Sequence, residues 1–212
     1  MPSMSRIFPS LVLGLAFAIA AAPAYADVLL TPTVGFRSGS ADFFAPFACA
    51  FAIGVPCPED AELDDGETFG LILGVERGER WRFEIAFDRQ AADLEVDFAP
   101  CEACLTIPPP REELEILTLQ VGGLRRWPGQ RVHPFVAARV GVSRLTADED
   151  FGAFDIDEER PSASLGAGVE VPLGGRLDLR LEARGLWVDL PSEVAEDDLV
   201  QGEVVTGLAF RW

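Results

Sequence analysis

Arg80-Trp81-Arg82-Phe83-Glu84-Ile85-Ala86-Phe87-Asp88 alternates between charged and apolar side chains. In an extended chain this order separates the two kinds onto opposite faces, with Trp81, Phe83, Ile85 and Phe87 against Arg82, Glu84 and Asp88. A helix would scatter the same residues around its circumference, so the period of two predicts a β-strand with one apolar face.

The same alternation recurs in eight segments, near residues 28–40, 68–77, 80–98, 113–127, 132–147, 161–173, 176–190 and 200–212. Most of them reach the roughly 9–11 residues that a tilted strand needs to cross a bilayer. No segment after the N-terminal one has a convincing period of 3.6 residues. The chain is therefore predicted to be all-β, with eight antiparallel strands.

The connections between these segments alternate between two kinds. Short turns follow the second, fourth and sixth segments: Gly78-Glu79, Pro128-Gly129-Gln130 and Gly174-Gly175. Long acidic stretches follow the first, third, fifth and seventh segments, near residues 41–67, 99–112, 148–160 and 191–199. This pattern is typical of an up-and-down transmembrane β-barrel with short periplasmic turns and long extracellular loops. An even number of strands then places both chain termini on the periplasmic side.

The N-terminus predicts a secretory signal peptide. Arg6 precedes an apolar run over residues 11–22, and Ala24-Tyr25-Ala26 has the small-x-small form of a cleavage site. The run is shorter than the roughly twenty residues of a membrane-spanning helix. We therefore expect a signal peptide over residues 1–26 and a barrel domain over residues 27–212, exported to the outer membrane of a Gram-negative bacterium.

The last strand ends on an aromatic residue, with Leu208, Phe210 and Trp212 on one face. This ending resembles the C-terminal insertion signal of bacterial outer-membrane barrels. Residues 27–212 as a whole resemble, in architecture, the small eight-stranded outer-membrane proteins of the OmpA-domain, OmpX and OmpW kind. The resemblance implies three partners, namely the barrel-assembly machinery, outer-membrane lipids and lipopolysaccharide. The alternative is a soluble periplasmic barrel such as a lipocalin, whose apolar face points inward.

The charge of the chain is strongly negative. The sequence has 17 basic residues, all of them Arg, against 35 acidic ones, for a net charge of −18. The four long stretches contain 20 acidic residues and two basic ones, Arg111 and Arg160, so they alone account for the net charge. Nucleic-acid binding needs a basic surface, and the composition argues against such a partner.

The charged faces of the predicted strands are balanced. If the apolar faces meet lipid, seven Arg and seven carboxylates point inward: Arg37, Glu76, Arg82, Glu84, Asp88, Arg126, Arg139, Glu170, Asp178, Arg180, Glu182, Arg184, Glu203 and Arg211. Buried charges must be paired, and eight strands enclose a space that side chains can fill. We therefore predict an ion-paired, closed lumen and a structural or surface-interaction role. A narrow channel for small solutes, including apolar ones, is the alternative, suggested by inward Leu186 and Val188.

All four cysteines lie in the first two long stretches: Cys49, Cys57, Cys101 and Cys104. An even number of cysteines in an exported chain predicts disulfides. Of the three possible connectivities, the local pairing Cys49–Cys57 with Cys101–Cys104 is favoured. A redox site or half of a zinc site at Cys101 and Cys104 is the alternative.

The acidic stretches also suggest binding of Ca²⁺ or Mg²⁺, because clustered carboxylates are ligands for hard cations. The candidate calcium ligands are Asp148, Asp150, Asp155, Asp157 and Glu159. The spacing departs from a calcium loop, since Gly152 stands where a ligand belongs and Ala153 where the loop glycine belongs. No cofactor is therefore predicted, and Ca²⁺ or Mg²⁺ at the acidic stretches is the alternative.

Enzymatic activity is not expected. Some barrels of this size modify lipids, and such chemistry needs a base near the outer rim. The single histidine, His133, lies beside a predicted periplasmic turn, and Phe135 stands where a His-x-Ser motif would have its serine. No Gly-x-Ser-x-Gly, P-loop or zinc motif is present.

Deletion of residues 210–212 is expected to block insertion, because it removes the terminal aromatic signal. The measurement is the amount of heat-modifiable protein in the outer-membrane fraction, compared with the wild type. The single change Trp212→Ala should reduce that amount in the same direction. Accumulation of the truncated chain at the wild-type level would contradict the assignment of an insertion signal.

Overall fold

The computed structural model describes residues 27–39, 58–63, 65–98, 111–129, 131–147, 157–189 and 198–212. Within these ranges no helix is long and apolar enough to cross a membrane. The predicted signal peptide lies outside the described residues. The strands are β1 (Val28–Ser38), β2 (Pro58–Leu63), β3 (Gly66–Arg77), β4 (Trp81–Phe98), β5 (Arg111–Arg126), β6 (His133–Ala147), β7 (Asp157–Gly174), β8 (Leu177–Val188) and β9 (Leu199–Arg211).

The sheet closes on itself as an antiparallel barrel. Strands β3 to β8 each pair with the next strand along the chain, and β1 pairs with both β3 and β9. The order around the barrel is therefore β1, β3, β4, β5, β6, β7, β8, β9 and back to β1. The prediction of a closed eight-stranded, all-β, up-and-down barrel is confirmed. Closure removes the sheet edges that would otherwise expose unpaired backbone groups.

β2 is the one strand that the sequence pattern did not predict. Leu63 of β2 lies opposite Leu94 of β4, and Glu67 of β3 lies opposite Ala91 of the same strand. β2, which ends at Leu63, and β3, which begins at Gly66, therefore follow each other along one side of β4 and together form the second barrel strand. The prediction of a continuous loop over residues 41–67 was wrong for this part.

Two other long stretches were also predicted too long. β5 begins at Arg111 and β7 at Asp157, inside the segments 99–112 and 148–160. Their backbones remain paired there, with Arg111 opposite Glu95 and Asp157 opposite Thr146. The physical reason is the same as for β2. Beyond the part of the wall that faces lipid, a strand needs no apolar face. Backbone pairing therefore continues where the alternation of apolar and polar residues has stopped.

The two faces of the wall have opposite character. Along β9, Val205 and Ala209 are buried, whereas Val204 is 67% and Phe210 is 42% exposed. The same alternation of burial follows β8 from end to end. The exposed residues are large and apolar, and the buried ones include most of the charged side chains of the strands. This inversion of the usual soluble pattern matches a barrel whose outer surface is solvated by lipid.

The two ends of the barrel differ in their connections. At one end, the short-turn end, lie Asp27, Trp212 and the turns after β3, β5 and β7. At the other, the long-loop end, β1, β4, β6 and β8 end, and β5, β7 and β9 begin. Gly78 has φ of 70°, and Gly174 and Gly175 have φ of 118° and 63°, in the left-handed region that favours glycine. These two turns therefore have the tight geometry expected of hairpins.

The short-turn end is expected to face the periplasm. A cysteine at Arg131, which is exposed in the turn after β5, should not react with a membrane-impermeant maleimide on intact cells. The background is a chain whose four native cysteines are changed to Ser. A cysteine at Asp65, exposed near the long-loop end, is the matched control and should react. The reverse labelling pattern would contradict this orientation.

Candidate functional site: the ion-paired barrel interior

The structure places all fourteen predicted inward charges inside the barrel. Twelve are buried, and Glu76 and Arg211 are partly exposed at the short-turn end. The residues come from all eight strands of the barrel, because alternate positions of each strand point inward. Every one of the fourteen has an ion pair within 4 Å, and the pairs group into three clusters stacked along the barrel.

The middle cluster contains two Arg and two Glu. Arg139 of β6 contacts Glu84 at 2.7 Å and Glu182 at 2.8 Å. Arg180 of β8 contacts the same two carboxylates, each at 2.6 Å. Each guanidinium therefore bridges two carboxylates and each carboxylate accepts from two guanidinium groups. This closed four-membered arrangement uses the planar donor fork of Arg, which Lys cannot reproduce.

The second cluster lies toward the short-turn end. Arg82 pairs with Glu170 and with Glu76, the latter at 3.0 Å. Arg126 reaches Glu76 at 3.1 Å and Glu170 at 3.5 Å. At the rim, Arg211 pairs with Asp178 at 3.1 Å and with Glu76 at 3.6 Å. Longer contacts, Arg82–Glu84 at 3.6 Å and Arg180–Glu170 at 3.9 Å, join this cluster to the middle one.

The third cluster lies toward the long-loop end and is centred on Glu203 of β9. Its carboxylate contacts Arg184 at 2.6 Å and Arg37 at 2.9 Å. It also accepts a hydrogen bond of 2.7 Å from the Thr68 hydroxyl. Arg184 contacts Asp88 of β4 at 2.8 Å. Two cations and two anions again balance, so no net charge is left buried.

Two of these contacts cross the barrel from wall to wall. β4 and β8 are four places apart in a ring of eight strands, so they stand on opposite sides. Arg180 of β8 reaches Glu84 of β4, and Arg184 of β8 reaches Asp88 of β4. These two contacts across the full width are compatible with a closed barrel.

A cation–π contact stabilises the middle cluster on the side of the short-turn end. The Arg180 guanidinium carbon lies 4.6 Å from the centre of the Phe135 ring. Phe135 packs with Leu124 and Ala137 in a small buried apolar cluster. The ring faces the cation with its negative π surface, which adds to the ion pairs. The sequence identified Phe135 only as a departure from an enzyme motif and missed this role.

Neutral polar side chains fill the interior beside and above the third cluster. Gln120 accepts a hydrogen bond of 2.7 Å from Ser164 and donates one of 3.3 Å to Ser162. The Arg37 guanidinium donates to the Gln90 amide oxygen at 2.9 Å. The prediction of the interior considered only charged residues, so this layer was missed. The same period of two places Gln and Ser residues on the inward faces of β4, β5 and β7, and this pattern would have identified the layer.

Apolar side chains line the described interior toward the long-loop end. Leu186 and Val188, which the channel alternative singled out, do point inward and are buried. Ile116, Leu145 and Leu199 are buried at the same end. The wall beside them is continuous, since Val188 pairs with both Ser162 and Leu199. The described strands therefore leave no lateral gap at this position.

The other predicted sites fall mainly elsewhere. Cys49, Cys57, Cys101 and Cys104 lie outside the described residues, as do Asp148, Asp150 and Asp155. Asp157 and Glu159 belong to the extended strand β7, opposite Thr146 and Arg144. No group of three or more His, Cys, Asp or Glu that could hold a metal ion occurs in the part of the chain that the structure describes.

His133 lies at the short-turn end, where β6 begins. Its Nε2 atom is 3.0 Å from the Gly129 carbonyl oxygen, so the ring links the two ends of the turn after β5. Outer-leaflet chemistry would require a base at the opposite end of the barrel. The position of His133 fits a structural contact in a turn.

Comparisons with known proteins agree with this architecture. A family model described as "Outer membrane protein beta-barrel domain" matches residues 10–211. No curated protein has a matching sequence. Neisserial surface protein A is similar in structure, with 14% identity, a TM-score of 0.56, and coverage of 88% of this chain and 97% of its own. OprG from Pseudomonas aeruginosa has 12% identity and a TM-score of 0.54, and covers 88% and 96%. At these identities the likeness to the two structures shows the fold.

Arg180→Ala is expected to lower the stability of the refolded barrel by about 3–5 kcal/mol, because it leaves buried carboxylates without their partner. The measurement is urea unfolding in detergent, followed by tryptophan fluorescence. Arg89→Ala is the control, since its pair with Glu115 is exposed and should contribute at most about 1 kcal/mol.

The double change Arg180→Met with Glu84→Gln should restore part of the loss. It removes one cation and one anion together and leaves the Arg139–Glu182 pair intact. If Arg180→Ala were no more harmful than Arg89→Ala, the interior pairs would not be holding the barrel together.

Proposed function

The chain belongs to the family of outer membrane protein β-barrel domains, and on that premise we propose that it is a closed barrel with a structural or surface-interaction role. The family implies the outer membrane of a Gram-negative bacterium as its location. In this role the strands anchor the protein, and the segments at the long-loop end present it to the cell's surroundings. The lumen takes no part in transport.

The observation that carries the proposal is the pair of contacts across the barrel between β4 and β8. Arg180 meets Glu84 at 2.6 Å, and Arg184 meets Asp88 at 2.8 Å. The two pairs lie at successive levels along the barrel. Arg139 of β6 also contacts Glu84, and Glu203 of β9 also contacts Arg184. A hydrated ion would have to separate at least one pair at each level in order to pass.

Electrostatics also oppose conduction. A pore selective for one sign of charge presents an excess of the opposite charge along its wall. Here the three clusters balance their charges locally, so a passing ion gains nothing that compensates for its lost hydration. Breaking a buried pair is costly because it exposes two charges to a medium of low polarity. The charge balance thus supports a closed lumen better than an ion-selective pore.

The segments at the long-loop end remain the candidate interaction surface. In the sequence they contain most of the excess negative charge of the chain. Outer-leaflet lipopolysaccharide is also anionic, so we propose that divalent cations mediate any contact between the two. Insertion by the barrel-assembly machinery through the strand that ends at Trp212 completes the proposed set of partners. No enzymatic step is part of this proposal.

The wild-type barrel is expected to show no steady current in a planar lipid bilayer. A variant without the middle cluster, with Glu84, Arg139, Arg180 and Glu182 all changed to Gln, keeps the net charge and should conduct. The exposed pair offers the control, since Arg89→Gln with Glu115→Gln changes equal charges on the outer surface and should leave the barrel closed. Unboiled gel mobility verifies that each variant is folded.

Steady, ion-selective currents through the unmodified protein would refute the closed lumen and favour the channel for small solutes. If the fourfold variant does not fold, Arg180→Ala alone replaces it, and brief openings above the wild-type baseline are expected. A folded variant that stays silent would show that the middle cluster does not close the barrel.

A further inference from the structure

A row of three outward side chains crosses the wall at the short-turn end. Arg77 of β3 lies opposite Trp81 of β4, and Trp81 lies opposite Arg125 of β5. Directly opposed residues on neighbouring strands have their Cβ atoms about 4.5–5.5 Å apart and point to the same side. All three are exposed on the outer surface. The row therefore places one Arg on each side of the Trp81 indole ring.

A second indole completes the arrangement. The Arg125 guanidinium carbon lies 5.6 Å from the centre of the Trp81 ring and 5.4 Å from that of Trp127. Trp81 is 53% and Trp127 is 43% exposed. Two π contacts hold the guanidinium beside the outer surface of the wall. Indole rings prefer the level of the lipid headgroups, so Arg125 is placed where headgroup phosphates lie.

These two outward Arg differ from the inward ones in their partners. Each of the seven inward Arg pairs with a carboxylate, as described above. Among the residues that the structure describes, neither Arg77 nor Arg125 forms an ion pair. Arg80, Arg131 and Arg176 are also exposed at this end, against Asp27 and Glu79. The short-turn end therefore has an outward excess of positive charge, opposite in sign to the chain as a whole.

The wall next to this row leaves room for a hydrocarbon chain. One step toward the middle of the barrel, Phe83 lies opposite Gly123, and Gly123 lies opposite Ala138. A Cβ atom added at Gly123 would have only one neighbour within 4 Å, the Arg82 carbonyl oxygen at 3.8 Å. Phe83 is 58% exposed. The result is a shallow apolar trough with an aromatic side, leading away from the two guanidinium groups.

We propose that Arg77, Trp81, Arg125 and Trp127 bind the phosphate of an anionic phospholipid, with one acyl chain lying in the trough over Gly123. The guanidinium fork matches a phosphodiester at two points. The occupant is a phospholipid of the periplasmic leaflet, because the row lies at the short-turn end, far from the leaflet that contains lipopolysaccharide. The proposal rests on the orientation of the barrel and is independent of whether the lumen is closed.

The test compares lipid retention by native mass spectrometry of the detergent-refolded protein, with dioleoyl phosphatidylglycerol and dioleoyl phosphatidylcholine as probes. The wild type should retain phosphatidylglycerol in clear preference. Arg77→Gln with Arg125→Gln should reduce that preference by about fivefold for each Arg removed. The matched control, Arg131→Gln with Arg176→Gln, removes the same charge from exposed turn positions and should change the preference less than twofold.

A second variant separates a specific site from general attraction. Trp81→Leu keeps both guanidinium groups but removes the indole between them, and it should also lower phosphatidylglycerol retention. Unboiled gel mobility confirms that each variant is folded. Equal losses in the Arg77/Arg125 variant and in the control would overturn the site and leave only net charge as the cause. Preferential binding of lipopolysaccharide at the same residues would overturn the assignment of the periplasmic leaflet.

Discussion

The contact between Arg180 and Glu84 joins opposite walls of the barrel in the middle of its ion-pair network. An eight-stranded barrel has an inside just wide enough for side chains to fill it, so its inward residues must satisfy each other. Arg180 bridges Glu84 and Glu182, and Arg139 bridges the same two carboxylates from another wall. Removing any one of the four leaves an uncompensated buried charge.

This constraint explains why the seven inward basic residues are all Arg. A guanidinium group stays charged when it is buried and offers five donors in one plane, so one side chain can serve two carboxylates. Arg184 does the same between Asp88 and Glu203. The same residue type serves a different purpose on the outside, where Arg125 packs against Trp81 and Trp127. Inside, Arg joins walls; outside, it lies at the level of lipid headgroups.

Much of the fold could be predicted from the sequence because one physical signal, the period of two, separates a lipid-facing surface from the interior. It assigned Arg82 and Glu84 to the inside and Trp81 and Phe83 to the outside, and the structure has them there. It likewise assigned Arg180 and Arg184 to the inside, where Glu84 of β4 and Glu203 of β9 contact them.

The remainder depended on information that alternation does not contain. β2 was missed because residues 58–63 lie beyond the apolar band, where backbone pairing continues without an apolar face. The division into three clusters was missed because strand stagger, which decides which inward residues share a level, follows from register alone. The layer around Gln120 was missed because only charged residues were counted. The outward row at Arg125 needs the pairing of β3, β4 and β5, which no single segment reveals.

We propose that the barrel interior is a dry lattice of ion pairs, and the exchange of guanidinium protons with water tests this most directly. Nitrogen-15 NMR of the protein in lipid nanodiscs can resolve the Arg side-chain N–H signals. We expect separate, slowly exchanging signals for Arg139 and Arg180, each of which pairs with two carboxylates, and rapid exchange for exposed Arg131. Rapid, averaged signals for Arg139 and Arg180 would show that water moves freely through the lumen and would refute a dry interior.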